Sequence, residues 1–187
     1  MKVAKLDGLK LSESEVSQTI DLKEVFGVSL TGNEALKQVI GQALIDRIIQ
    51  RTEANKSVTG GQLKKYSKEY IESDDFKAFD KSAGDVNMKL TGDMLGTLDI
   101  VDSSGSKIKL GWDDATQNAK AYNHVVGDTL PRRNFFGVTK QDLESVRKEF
   151  ASDVKQSSNK LQSELDQIRT AIINRLNPNI LDVTDEG

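Results

Sequence analysis

Hydrophobic positions along the chain change their spacing several times, and each change predicts a different element. Leu36, Val39, Ile40, Ala43, Leu44, Ile48 and Ile49 recur at intervals of three and four, with Gln38, Gln42, Asp46 and Arg47 on much of the other face. That period predicts an amphipathic helix over about residues 33–56. Thr31 and Glu34 stand ahead of it at capping-box spacing, and Gly60-Gly61 ends any continuation. From Val86 the period becomes two. Val86, Met88 and Leu90 alternate with Asn87 and Lys89, Leu98 and Ile100 flank Asp99, and Ile108, Leu110 and Trp112 alternate with Lys107 and Lys109. These runs predict three half-buried strands, most simply an antiparallel meander with one wet face, its last two strands joined at Ser103–Ser106.

The remaining segments are read from caps and stripes. Ser12 and Glu15 have capping-box spacing, and Val16 and Ile20 could share one short helical face, so residues 1–30 are expected to form an irregular arm. Residues 57–84 read as a loop with a short helical piece, in which Tyr66, Tyr70 and Ile71 could share a face of one turn and Phe76 and Phe79 are expected as anchors. Asp114 and Gln117 predict a helix start, and Gly127 its end. Pro131 disfavours helix at Leu130, so the stretch up to Val138 is expected to be irregular. Thr139 caps a last helix in which Leu143, Val146, Phe150 and Val154 form one stripe, continued by Leu161, Leu165, Ile168, Ile172 and Leu176. Ser157-Ser158 interrupts the stripe, so residues 139–151 are assigned to the domain and 153–176 to an extension whose seam needs a partner helix.

The expected fold class is α+β, a small antiparallel meander packed against long helices, with an N-terminal arm and a C-terminal helical extension. The expected divisions are the arm at 1–30, a core domain at 31–150, and a C-terminal helix with an acidic tail at 151–187.

Composition narrows the chemistry. The chain of 187 residues has 26 Lys and Arg against 29 Asp and Glu, and 36% hydrophobic residues. Its core is therefore modest, with part of the chain outside it or buried against another subunit. Without cysteine there is no disulfide, thiolate metal site or cysteine nucleophile, and the single histidine, His124, rules out a multi-histidine centre. No apolar run approaches the roughly 20 residues of a membrane helix, and the opening residues lack the apolar block of a secretory signal. The expectation is a soluble protein made in the cytoplasm, with no cofactor and no metal.

Each candidate site has a plain structural explanation beside the chemical one. His124, late on a predicted helix, lacks the base–nucleophile constellation that catalysis requires. Asp74-Asp75 and Asp113-Asp114 lack the alternation of a calcium loop, and Asp114 already serves as a cap. The glycines fit neither a phosphate loop nor a dinucleotide fingerprint. Asn55-Lys56-Ser57 matches a glycosylation sequon but carries no weight without a secretory signal. Arg132-Arg133 beside Phe135-Phe136 is more informative, because paired guanidinium groups and aromatics can grip a partner's carboxylates, bind phosphate or stack on a base. The mild acidity and the absence of a wide basic stripe favour a protein contact.

The order of segments also carries a resemblance. A long first helix precedes a Gly-Gly loop with Tyr66-Ser67 and Tyr70, then Leu90-Thr91-Gly92-Asp93-Met94-Leu95, then a hairpin leading to Ala121-Tyr122-Asn123-His124. Pro131, Arg133, Phe135, Gly137, Val138 and Thr139 then lead into the final helix, with His124 and Gly127 upstream. Over roughly residues 33–150 this resembles the virion-morphogenesis family of tailed bacteriophages, tail-completion or neck proteins. The resemblance implies a non-enzymatic ring subunit between head and tail. Its partners would be copies of itself, a portal-side adaptor and tail proteins, with DNA only passing through the lumen. Arg132, Arg133, Phe135 and Phe136 are then expected to act at the interface or as loop anchors, and Leu161, Leu165, Ile168 and Ile172 as the inter-helix seam. A head-closure or minor tail protein, a nucleic-acid-binding regulator and an enzyme centred on His124 remain as alternatives.

Overall fold

A computed structural model describes residues 7–79, 82–84, 86–88, 92–127 and 130–176. Leu90, Thr91, Asp128, residues 177–187 and the side chain of Leu176 lie outside the described residues. The chain has an α+β fold. Its elements are β1 (Leu9–Ser12), β2 (Glu15–Asp21), α1 (Leu22–Phe26), α2 (Glu34–Glu53), α3 (Lys68–Ile71), α4 (Asp74–Ala78), α5 (Asp93–Gly96), β3 (Asp99–Ser104), β4 (Lys107–Gly111), α6 (Ala115–Val126) and α7 (Lys140–Leu176).

The four strands form an antiparallel sheet in the order β1-β2-β4-β3. Half of that sheet comes from the stretch expected to be an arm, which is a correction. Ser12 and Glu15 interact as their spacing suggested, Glu15 N–H donating to Ser12 Oγ at 3.0 Å, but the bond closes a hairpin turn instead of capping a helix. β2 then pairs with β4, Ile20 opposite Ile108 and Gln18 opposite Leu110, so the N-terminal hairpin is built into the domain. The expected strand at Val86–Leu90 is also corrected. Val86 and Met88 are buried, but Met88 has φ 59°, outside extended geometry.

Strand alternation gives the sheet two unlike faces. Val16, Ile20, Ile108 and Leu110 share the face covered by α2. Gly41 permits that close approach, since a Cβ there would collide with Ile100 Cδ1. The other face carries Lys10, Glu15 and Lys109, paired with one another. α6 closes the domain beside β1 and β2, with Asn118 Oδ1 accepting from Val16 N–H at 2.6 Å.

The helix ends follow local chemistry. Asn33, not Thr31, caps α2 by accepting from Leu36 N–H at 3.2 Å. Asp114 caps α6 through Gln117 N–H at 2.8 Å, and Gly127 ends it with φ 77°. Thr139 and Asp142 form a reciprocal box at the start of α7, at 2.8 and 3.1 Å. α7 is a single helix of 37 residues, and it stays packed on the domain as far as Val154, past the boundary expected after residue 151. Its first half packs on α1 and α2 through Val146, Phe150 and Val154, flanked by Arg51–Asp142 and Arg47–Glu149 ion pairs, each at 2.7 Å.

Candidate assembly surface

The Arg-Arg-Asn-Phe-Phe segment turns inward. Phe135 and Phe136 are completely buried, their ring centroids 6.3 and 5.0 Å from that of Trp112. Arg133 is also buried, with 3% of its surface exposed. Its Nε donates to the Lys64 carbonyl at 2.7 Å, its Nη2 to the Lys65 carbonyl at 3.0 Å, and its guanidinium lies 5.1 Å from the centre of the Tyr66 ring. Its backbone N–H donates to the His124 carbonyl at 2.6 Å, and Nη1 sits 3.4 Å from His124 Nδ1. Within this fold Arg133, Phe135 and Phe136 present no surface to a neighbouring chain, so of the two roles expected for them the subunit-interface role is corrected and the loop-anchoring role remains. Arg133 fastens the segment Ser57–Phe79 to the domain, joined by Val58 N–H donating to the Asn134 carbonyl at 2.9 Å. Only Arg132 of the four has an exposed side chain, and even its Nε donates back to the Val125 carbonyl at 3.2 Å.

Burial around this fastening point shifts three groups, the Arg133 guanidinium and the Tyr66 and Tyr70 phenols. Loss of water pulls the Arg133 guanidinium below its usual value, while the facing tyrosines oppose that shift. Loss of water pushes the Tyr66 phenol up, helped by Tyr70 and opposed by the Arg133 charge. Tyr66, Tyr70 and Phe76 pack as a trio with centroids 5.2 to 5.6 Å apart. Of the two anchors expected, Phe76 is buried, whereas Phe79 is exposed.

The distal half of α7 is arranged differently. Asn33 Nδ2 donates to Ser157 Oγ where the helix leaves the domain. Beyond Ser158 every described side chain through Arg175 is exposed. Leu161, Leu165, Ile168 and Ile172 lie on one stripe and are each between 50% and 56% exposed. The helix beyond Ser158 extends about 27 Å at 1.5 Å per residue. Its polar positions support the helix locally, Lys160 lying 4.0 Å from Glu164 and Gln162 Nε2 donating to Asp166 Oδ1 at 3.1 Å.

A shallow cleft where α2 meets α7 extends this surface. Asn33, Leu36, Val39, Asp153, Ser157 and Lys160 line it, and Val39 is exposed although its spacing placed it on the apolar face of α2. Its neighbour Lys37 is buried instead, held by Glu34 at 2.6 Å and the Gly105 carbonyl at 3.0 Å. The buried stripe of α2 keeps Ile40, Leu44 and Ile48 but is rotated by no more than about one residue, so Lys37, Gly41 and Ile45 join it while Val39 leaves it.

Among the described residues no group of three or more His, Asp or Glu side chains is placed to hold a metal ion, and no helix is long and apolar enough to cross a membrane. Asp114 is engaged as a cap, and Asp74 and Asp75 lie in the first turn of α4 behind the Ser73 cap. Comparison with family models, curated proteins and solved structures finds no match to this chain.

Proposed function

We propose that this chain is a structural subunit of a tailed-phage neck, a ring-forming tail-completion or head-to-tail adaptor that acts by protein–protein assembly. The projecting half of α7 carries the proposal, because it holds four large apolar side chains on one stripe with nothing of its own domain against them. Such a stripe is stable in water only at a cost of about 25 cal/mol per Å² of apolar surface, which association removes. The phage assignment is supported by the Pro131–Thr139 segment and the order of segments before it, including the hairpin–helix leading to His124.

In this role the domain built on the sheet would supply rigid surfaces, and α7 would reach toward neighbouring copies. Contacts in a ring join one patch to a different patch on the next copy, and charged residues set their register. The partners would be copies of this chain, a portal-side adaptor and tail proteins, in the neck or tail of the virion. DNA would pass through the lumen unbound, which suits a net charge of −3 because carboxylates repel phosphates. A DNA-binding role is less well supported, since Arg133 is buried and already donates to two carbonyls.

Light scattering of the purified chain across a concentration series, with negative-stain images of any large species, tests the proposal. Closed rings of one size are expected. Tight, strongly salt-dependent DNA binding by a species that never assembles would overturn it.

A further inference from the structure

We propose that residues 158–175 of α7 pair in parallel and in register with the same segment of a second copy of this chain. This deepens the assembly reading and rests on it, by naming both the occupant of the exposed stripe and its direction. The pair is a self-complementary contact that closes on two copies, so the ring would join such pairs through other, unlike patches.

The spacing sets the geometry. Val154, Leu161 and Ile168 repeat every seven residues, as do Ser158, Leu165 and Ile172, and the two series alternate by three and four. Such a pattern makes a narrow seam along which two helices can wind. Val154 fixes its phase, because it is buried against the domain while the positions that follow it emerge into solvent. Arg175 occupies the next seam position and ends the apolar run.

Charge then selects the partner and its direction. Glu164 and Arg169 flank the seam on opposite sides, five residues apart. In a parallel, in-register pair these flanking positions face each other across the interface, so Glu164 of each copy meets Arg169 of the other. One helix thus carries both halves of the match, as self-association requires. An antiparallel pair centred on the same stripe would set Leu161 opposite Ile172 and Leu165 opposite Ile168. It would place Glu164 near Ala171 and Arg169 near Gln162, and the charge match would be lost. Parallel pairing also leaves both domains at the same end of the helices, as an axis of rotation along α7 demands.

The chain has no cysteine, so single introduced thiols report cleanly. Full-length Ile172→Cys is oxidised under mild conditions beside Ser163→Cys, which lies on the outer face of the same helix, and linked peptides are identified by mass spectrometry. The expected result is that the Ile172→Cys chain links to its own kind at least about tenfold faster than the Ser163→Cys chain does, because pairing raises the local thiol concentration. An antiparallel pair would hold the two 172 positions about 16 Å apart along the axis, at 1.5 Å per residue. It would instead link an equimolar mixture of Leu161→Cys and Ile172→Cys, a result that overturns the proposal. Large assemblies of the unmodified chain without linkage between 172 positions also overturn the pairing, yet leave the neck assignment standing. Rapid linkage between 172 positions in a chain that forms only dimers supports the pairing and removes the ring.

Discussion

Replacing Arg133 by Met keeps the aliphatic stem and removes the guanidinium, so it isolates what the charged end does. That end is 3% exposed and makes two hydrogen bonds to carbonyls in the segment Ser57–Phe79, at 2.7 and 3.0 Å, while lying 5.1 Å from the Tyr66 ring centre. Hydrogen bonds involving a charged group contribute about 1.5–3 kcal/mol each, and a desolvated cation over an aromatic ring about 0.5–2 kcal/mol. Against these stands the several kcal/mol that burying a cation costs, which Met does not incur. Met leaves the Lys64 and Lys65 carbonyls facing a thioether, a penalty of about 1–3 kcal/mol for each that stays buried. We expect a net loss of about 2–4 kcal/mol, equivalent to roughly 4–16 °C in Tm for a chain of this size. The segment can limit its loss by opening locally to water, so trypsin should cut after Lys64 and Lys65 faster than in the parent chain. Urea titration and timed proteolysis measure the two effects. Arg133→Lys should fall between, since an ammonium cannot span both carbonyls with a planar fork. A loss below about 0.5 kcal/mol with unchanged cleavage would show that Arg133 does not fasten this segment.

Leu165→Asp should leave the unfolding free energy of the monomer in urea titrations within about 0.5 kcal/mol of the parent, because Leu165 is already 52% exposed, yet it should abolish assembly in light scattering. Lys107→Ala, which removes an exposed ammonium 4.0 Å from Asp21, should leave assembly unchanged, and equal effects of the two substitutions would remove the seam argument. Glu15 is held well below the usual carboxylate range, from 4.5 to about 2, first by the Lys10 hydrogen bond, then by Ser17 and the nearby Lys109 charge. A depressed folded-state value stabilises above the unfolded value and is lost as pH falls through about 2, so Glu15→Gln should cost most near pH 7 and nothing once the pH is well below that value. Water screens this surface pair, so urea titrations should show a difference of no more than about 1 kcal/mol. Gly127→Ala should destabilise by more than about 2 kcal/mol, because the residue has φ 77° and its new Cβ would lie 2.7 Å from the Arg132 Cα; an unchanged thermal midpoint would contradict this.

The helices were legible because their signals are local. Periodic apolar positions marked α2 and α7, and Asp114, Gly127 and Thr139 marked ends that the backbone then uses. The N-terminal hairpin was hidden by two coincidences. Ser12 and Glu15 make the same side-chain-to-backbone bond in a hairpin turn as in a helix cap. β2 also buries Gln18 on its core face between Val16 and Ile20, and Ser17 on the other face, so it does not read as an apolar–polar alternation. Gln18 is satisfied at both ends, donating to the Asp7 carbonyl at 2.9 Å and accepting from Val138 N–H at 2.7 Å. Neither partner is visible from spacing. Arg133 misled for the same reason, since charge suggests surface unless its donors find carbonyls elsewhere in the chain.

The one long-range feature that spacing did reveal, the stripe on α7, gains its meaning from where the domain stops. An isolated helix of about 18 residues is marginal in water, and each i,i+4 pair such as Lys160–Glu164 adds only about 0.2–0.5 kcal/mol. The distal half does not have to nucleate alone, however. The proximal half is capped by Thr139 and Asp142, buried through Val146, Phe150 and Val154, and tied to α2 by Arg47 and Arg51. Helix therefore propagates outward from a fixed start, one hydrogen bond per added residue. A stripe displayed on such a helix already has its side chains at contact spacing before any partner arrives, so association loses less conformational entropy than ordering a coil would. Substitutions that loosen the proximal half, such as Val146→Ala, should for that reason weaken assembly even though they touch no residue of the exposed stripe.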